Sequence, residues 1–197
     1  SLASKNNKTP EQLRALLYRM AITESIAENA TLDNIALLQK ETASLKSPAK
    51  QVAHSLLAQT YWQFFNTQRW KIYNRTPAAQ RVADNPETWT ARDFQEFIAF
   101  HFKKSLEGSD VSQQTKLSAF SPMIIAGNEP DLRPTLYDLL AHKALEFFKQ
   151  NEIDNIKPAE TFVLQDAASL APGRIFIRHA YSSPDSANHI LEALLIY

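Results

Sequence analysis

Residues 47–76 read SPAKQVAHSLLAQTYWQFFNTQRWKIYNRT, and this stretch decides the class of fold. Ala53, Leu57, Tyr61, Phe64 and Phe65 recur at the spacing of one face of an α-helix, with Trp62 at its edge. Ser47-Pro48 supplies a polar cap and a proline at the helix start, where the missing N–H costs nothing. After Gln68 the apolar spacing fails, so Arg69-Trp70-Lys71-Ile72-Tyr73 reads as extended or irregular chain. Thr76-Pro77 then opens a loop running to Thr88.

The middle of this helix has near-copies further on. Leu56-Leu57-Ala58 followed by Phe64-Phe65 is matched by Leu139-Leu140-Ala141 followed by Phe147-Phe148, 83 residues later. Phe97-Ile98-Ala99, with Phe102 placed as Tyr61 is, falls between them, at spacings of 41 and 42 residues. A period near 40 suits arrays of stacked helix pairs. The leucine-alanine pair followed by Tyr61 matches one line of a tetratricopeptide repeat, although the rest of that pattern is missing. The plainer account is that any core helix favours leucine, alanine and phenylalanine on its buried side. Both readings predict an all-α fold of antiparallel helices, as a bundle or a helical-repeat-like array.

Composition agrees. The chain has 197 residues, long enough for a sizeable core, and only 3 glycines, whereas sheet-rich folds use glycine freely at hairpins. Thr9-Pro10-Glu11-Gln12 reads as a helix start, followed by Leu13, Leu16, Leu17 and Met20 at helical spacing, with Ile22 and Ile26 beyond. Asn29-Ala30-Thr31 breaks the pattern, and Leu32, Ile35 and Leu38 resume it. Thr90-Ala91-Arg92-Asp93 is another capped start, leading to Phe94, Phe97, Ile98, His101 and Leu106 and ended by Gly108. Val111 to Phe120 is expected to be a shorter helix, and a strong one runs from Pro134 to Gln150. Thr161-Phe162-Val163-Leu164 and Arg174-Ile175-Phe176-Ile177 have strand-like composition around Pro172-Gly173, which predicts at most a short β-hairpin. The resulting organisation is a flexible tether over residues 1–8 and a single helical domain over 9–197. Ser183-Pro184 begins a last helix carrying Ile190, Leu191, Leu194 and Leu195. It has no stop signal before Tyr197, so it is expected to continue in a larger multidomain protein.

Chemistry is sparse. Twenty-one basic and 21 acidic residues give zero net charge, against the basic excess that nucleic-acid binding normally brings. Apolar runs are far too short for a membrane span. The absence of cysteine removes disulfides, thiolate metal sites and cysteine nucleophiles. No HExxH, P-loop, GxSxG or dinucleotide fingerprint is present, and no two histidines stand four residues apart. His54 and His101 read as satisfied core histidines. Glu24 and Glu28 read as a solvated pair, and Asp93 with Glu96 as carboxylates favouring a helix dipole. Asn7, Asn29 and Asn74 each begin an N-x-T triplet, a pattern frequent by chance. No catalytic, metal or cofactor residue is nominated, and a non-enzymatic chain is expected.

One strip remains. Arg69, Trp70, Lys71, Tyr73 and Arg75 interleave cations and aromatics, as a surface for nucleic acid, peptide or protein would. The alternative, favoured by the neutral charge, is that Trp70 and Tyr73 are buried anchors while the cations snorkel outward.

Two blocks taken together carry a resemblance. Tyr61-Trp62-Gln63-Phe64-Phe65 with Arg69-Trp70-Lys71-Ile72-Tyr73-Asn74-Arg75-Thr76, and Arg133-Pro134-Thr135-Leu136-Tyr137-Asp138-Leu139-Leu140-Ala141-His142-Lys143-Ala144-Leu145, resemble the helical N-terminal region of large bacterial alpha-2-macroglobulin-like proteins. Those are secreted or envelope-attached chains, built mostly of β-sandwich domains and thought to trap proteases. The resemblance implies an extracytoplasmic setting, in the periplasm or at the cell surface. It also implies a role as scaffold, spacer or docking module, with other domains of the same polypeptide or a protein or peptide as partner. The family's thioester requires a C-x-E-Q motif, and this chain has no cysteine. No functional residue of the family carries over.

Overall fold

In a computed structural model the described residues are 9–74, 82, 85–121, 123–124 and 130–150, with scattered positions beyond. They are mostly helical, and no strand occurs among them. The elements are α1 (Thr9–Ile26), α2 (Ala30–Ser44), α3 (Ala49–Tyr73), α4 (Ala91–Leu106), α5 (Ser109–Gln114), α6 (Leu136–Phe148) and the single turn α7 (Gly173–Phe176). Short 3₁₀ turns cover Pro86–Thr88, Leu117–Phe120 and Pro130–Leu132. The chain divides into two compact units, residues 1–143 and 144–197.

Within the first unit α3 is the central element, packing most extensively on α4 and also on α2 and α1. The α3–α4 pair is antiparallel. As α3 ascends from Gln51 through His54 and Tyr61 to Phe65, its partners descend through Glu107, His101, Phe97 and Phe94. α1 and α2 also run antiparallel, since Arg19 pairs with Glu41 while Glu24 meets Asn34. Ala53, Leu57, Tyr61, Phe64 and Phe65 are all buried, as their spacing requires. A smaller apolar cluster joins Leu13, Ala49, Phe120, Leu136 and Leu140.

Local chemistry sets the starts. Thr90 Oγ1 accepts from the Asp93 N–H, and the Asp93 carboxylate accepts from the Thr90 N–H at 2.8 Å, closing a capping box on α4. Thr135 and Asp138 repeat that box at α6. Trp89 stands just before the cap, with its ring 5.2 Å from Phe94, which is the hydrophobic staple that fixes the entry angle. Gly108 has a φ of +64°, the left-handed turn that lets the chain leave α4.

Four expectations are corrected. The strip from Arg69 to Tyr73 is the last part of α3, not irregular chain. Ile72 falls seven residues after Phe65 and continues the buried stripe, so polar Gln68 interrupts the pattern without breaking the helix. The helix cap is Pro48 rather than Ser47, and it makes no side-chain cap bond. The segment from Val111 to Phe120 is not one helix. An isolated bridge between Lys116 and Thr135 holds Lys116 extended and splits α5 from the 3₁₀ turn. Arg174 to Phe176 form the helical turn α7, not a strand, because the Ile175 and Phe176 N–H groups both donate to the Pro172 carbonyl. The other half of the expected hairpin, the tether over 1–8 and, apart from positions 193 and 196, the helix from Ser183 lie outside the described residues. Ile22 and Ile26, beyond the apolar spacing of α1, are exposed, while Leu13 and Leu16 turn inward.

Candidate functional site

The sequence-nominated strip separates by helical phase. Trp70 follows Tyr61 by nine residues, about two and a half helical turns, so it stands on the face opposite the core. It is 81% exposed, which overturns its reading as a buried anchor. Lys71 is exposed and Arg69 partly so. Tyr73 is half-buried, with its ring edge-on to Phe65 at 6.0 Å and the Arg69 guanidinium 5.9 Å from its centre. Ile72 and Tyr73 therefore hold the end of α3 down, while Trp70 and Lys71 face solvent. Arg75 lies outside the described residues. Glu24 and Glu28 are both exposed.

A second site emerges that the sequence did not announce. His54 on α3 and His101 on α4 meet Nδ1 to Nδ1 at 2.8 Å, with ring centres 5.0 Å apart. One Nδ1 carries the proton and donates, and the other accepts. The two residues are 47 positions apart, so only the antiparallel register of the two helices brings them together. Each satisfies the other's Nδ1; His101 is buried, as a core histidine would be, whereas His54 is half-buried.

The pair lines a cavity of about 530 Å³. Gln39, Thr42 and Ala43 of α2 form one wall, Lys50, Gln51 and Leu57 of α3 a second, and Phe97, Phe100 and Lys104 of α4 a third. Gln51 Nε2 donates to the Glu107 carbonyl at 3.1 Å and closes the end of the cavity where α4 stops. Lys104 and Glu107 form an ion pair at 2.7 Å. Burial lowers the pKa of His101 to about 4, and the neighbouring His54 pushes it the same way. His54 is also held below the ordinary histidine value, by burial first and then by Lys50 and Lys104, with Glu107 opposing. At neutral pH both rings are uncharged.

Among the described residues no group of three or more histidine, cysteine, aspartate or glutamate side chains is placed to hold a metal ion. No helix described is long and apolar enough to cross a membrane. No family model, curated protein or solved structure matches the chain.

Proposed function

We propose that this chain is a non-catalytic helical scaffold and interaction module on the N-terminal side of a bacterial alpha-2-macroglobulin-like envelope protein, working outside the cytoplasm. The observation that carries the interaction role is Trp70. A tryptophan 81% exposed on the outer face of a helix, between a half-exposed arginine and an exposed lysine, leaves a large apolar surface in water. Aromatic and arginine side chains are the residues most enriched at interface hot spots. The two blocks quoted above supply the family setting, and the absent cysteine removes the family's thioester chemistry from this chain. The partner on this reading is another domain of the same polypeptide.

The test uses the chain and the adjoining region of its parent, produced separately and mixed. Saturable binding that is lost on Trp70→Ala is the expected result. Added alone to active endopeptidases, the chain is expected to be cut or ignored. Stoichiometric inhibition, or a parent reading frame without macroglobulin-like domains, overturns the proposal. A second reading, an independent tetratricopeptide-like peptide binder, draws on the 41- and 42-residue recurrence, in which Leu57, Ala58, Ile98, Leu140 and Ala141 are buried. A reading frame encoding only this helical array would favour it.

A further inference from the structure

The strongest unassigned feature is the histidine pair. The geometry points to an acid-operated latch between α3 and α4, in which one shared Nδ1 proton holds the two imidazoles together and a further proton on the accepting ring forces them apart, opening the cavity that they line.

The proton count decides how the latch works. In the neutral pair, the donor ring carries its proton on Nδ1 and leaves Nε2 as a lone pair, while the acceptor ring is protonated on Nε2. Neither Nε2 makes a hydrogen bond to a described residue, and neither is among the buried polar atoms left without a partner. The first added proton goes to the donor ring's Nε2. It leaves the Nδ1–H···Nδ1 bond intact and makes it charge-assisted. The second has only the acceptor Nδ1 to occupy. Two Nδ1–H groups then face each other at 2.8 Å, with two positive charges and no acceptor between them. The pair therefore titrates in two macroscopic steps, and only the second breaks the contact.

The surroundings sharpen that response. The charged groups on the cavity are Lys50 from α3, Lys104 from α4, and Glu107 just beyond α4. α2 contributes Gln39, Thr42 and Ala43, none of them ionisable. Two cations against one carboxylate add to the repulsion in the doubly protonated state. Phe97 and Phe100 press on His101, with ring centres 4.5 and 5.1 Å away, so that ring has little room to turn within its present seat. Relief comes from movement of the half-exposed His54 and of the α3–α4 spacing beside it. Deeper along the same interface Tyr61, Trp89 and Phe94 carry no group that titrates in this range, so that part stays closed. The inference does not rest on the docking role proposed for Trp70, which lies on the opposite face of α3.

The test follows the ring protons of His54 and His101 by NMR from pH 7.5 to 3.5, alongside far-ultraviolet circular dichroism. The expected result is two titration steps below the ordinary histidine range. The cross-ring Overhauser contact should survive the first and vanish in the second, with helical signal retained. His54→Gln keeps a hydrogen-bonding side chain that does not titrate, and should remove the second step and keep that side chain in contact with the His101 ring throughout. Persistence of the wild-type contact through both steps overturns the latch. So does loss of the contact only when helical signal collapses, because that is general acid unfolding.

Discussion

The α3–α4 interface has two ends built on different chemistry. At one, Tyr61 stacks on Trp89 with ring centres 5.1 Å apart and only 2° between planes, and Phe94 and Phe97 close around them. Tyr61, Trp89 and Phe94 are fully buried, with the tyrosine hydroxyl reached by Gln39 Nε2 and the indole N–H donating to the Val82 carbonyl. At the other end, about two helical turns away along α3, His54 and His101 share one proton beside an open cavity. Phe97 touches both ends, with its ring against Trp89 and against His101. One helix pair thus combines a buried aromatic clamp, whose strength is insensitive to pH, with a polar contact whose strength depends on proton count. The clamp sets stability, and the polar end is where the same interface can respond to conditions.

Breaking the clamp should have the largest effect. Trp89→Ala removes the biggest fully buried side chain and the staple on α4, and should destabilise the chain by about 3–5 kcal/mol. A urea melt would show it; a loss below about 1 kcal/mol would mean that the clamp is not the main support of α3 and α4. Acidification should come next. His54 and His101 have folded pKa values below the unfolded value of 6.5, so the unfolded chain binds more protons under acid conditions. Their contribution is complete above about pH 6.5, declines as pH falls, and is lost on passing through the folded values, about 4 for His101. Melts across this range should fall in midpoint for the native chain. In His101→Gln the part of the slope due to that ring should disappear. Identical slopes in the two would detach the pair from stability. Smaller again is the cap: Thr90→Ala breaks the box with Asp93 and should cost about 1 kcal/mol, while leaving the acid slope untouched.

Much of this interface was legible from residue spacing. The buried faces of α3 and α4, the Thr90 cap and the glycine stop at 108 follow from 3.6-residue periodicity and end chemistry alone. Trp89 had a usable signal as well. A tryptophan before a Thr-x-x-Asp box, with phenylalanine next in line, is the staple pattern, and it stands in the one position left between the expected loop and the capped start. The histidine pair was a different matter. His54 and His101 each look like ordinary core residues in their own helices, and only the register between α3 and α4 makes them partners. Register is a tertiary property that no window of one helix contains. The end of α3 failed for an opposite reason. A run of polar and charged residues looks like the end of a helix, yet two apolar positions, Ile72 and Tyr73, are enough to keep the helix docked.

That last segment gives the smallest effect on stability and the sharpest functional contrast. Trp70 and Trp89 are the same residue type at opposite extremes of burial, 81% and 0% exposed. Alanine at Trp70 uncovers no core and removes no hydrogen bond made by the indole among the described residues, since the Trp70 carbonyl that accepts from Asn74 belongs to the backbone. Alanine is also the better helix former. Trp70→Ala should therefore leave the unfolding free energy from a urea melt within about 0.5 kcal/mol of the native chain. Binding to the adjoining region of the parent polypeptide should behave in the opposite way. A buried aromatic hot spot is worth about 2 kcal/mol or more, so affinity should fall by about thirtyfold or beyond at constant fold. Lys71→Ala should do less and mainly alter salt dependence, as rim charges do. If Trp70→Ala instead destabilises the chain as strongly as is expected of Trp89→Ala, the outer face of α3 is covered within the molecule and the docking role falls with it. If it changes neither stability nor binding, the partner sits elsewhere and the exposed indole is incidental.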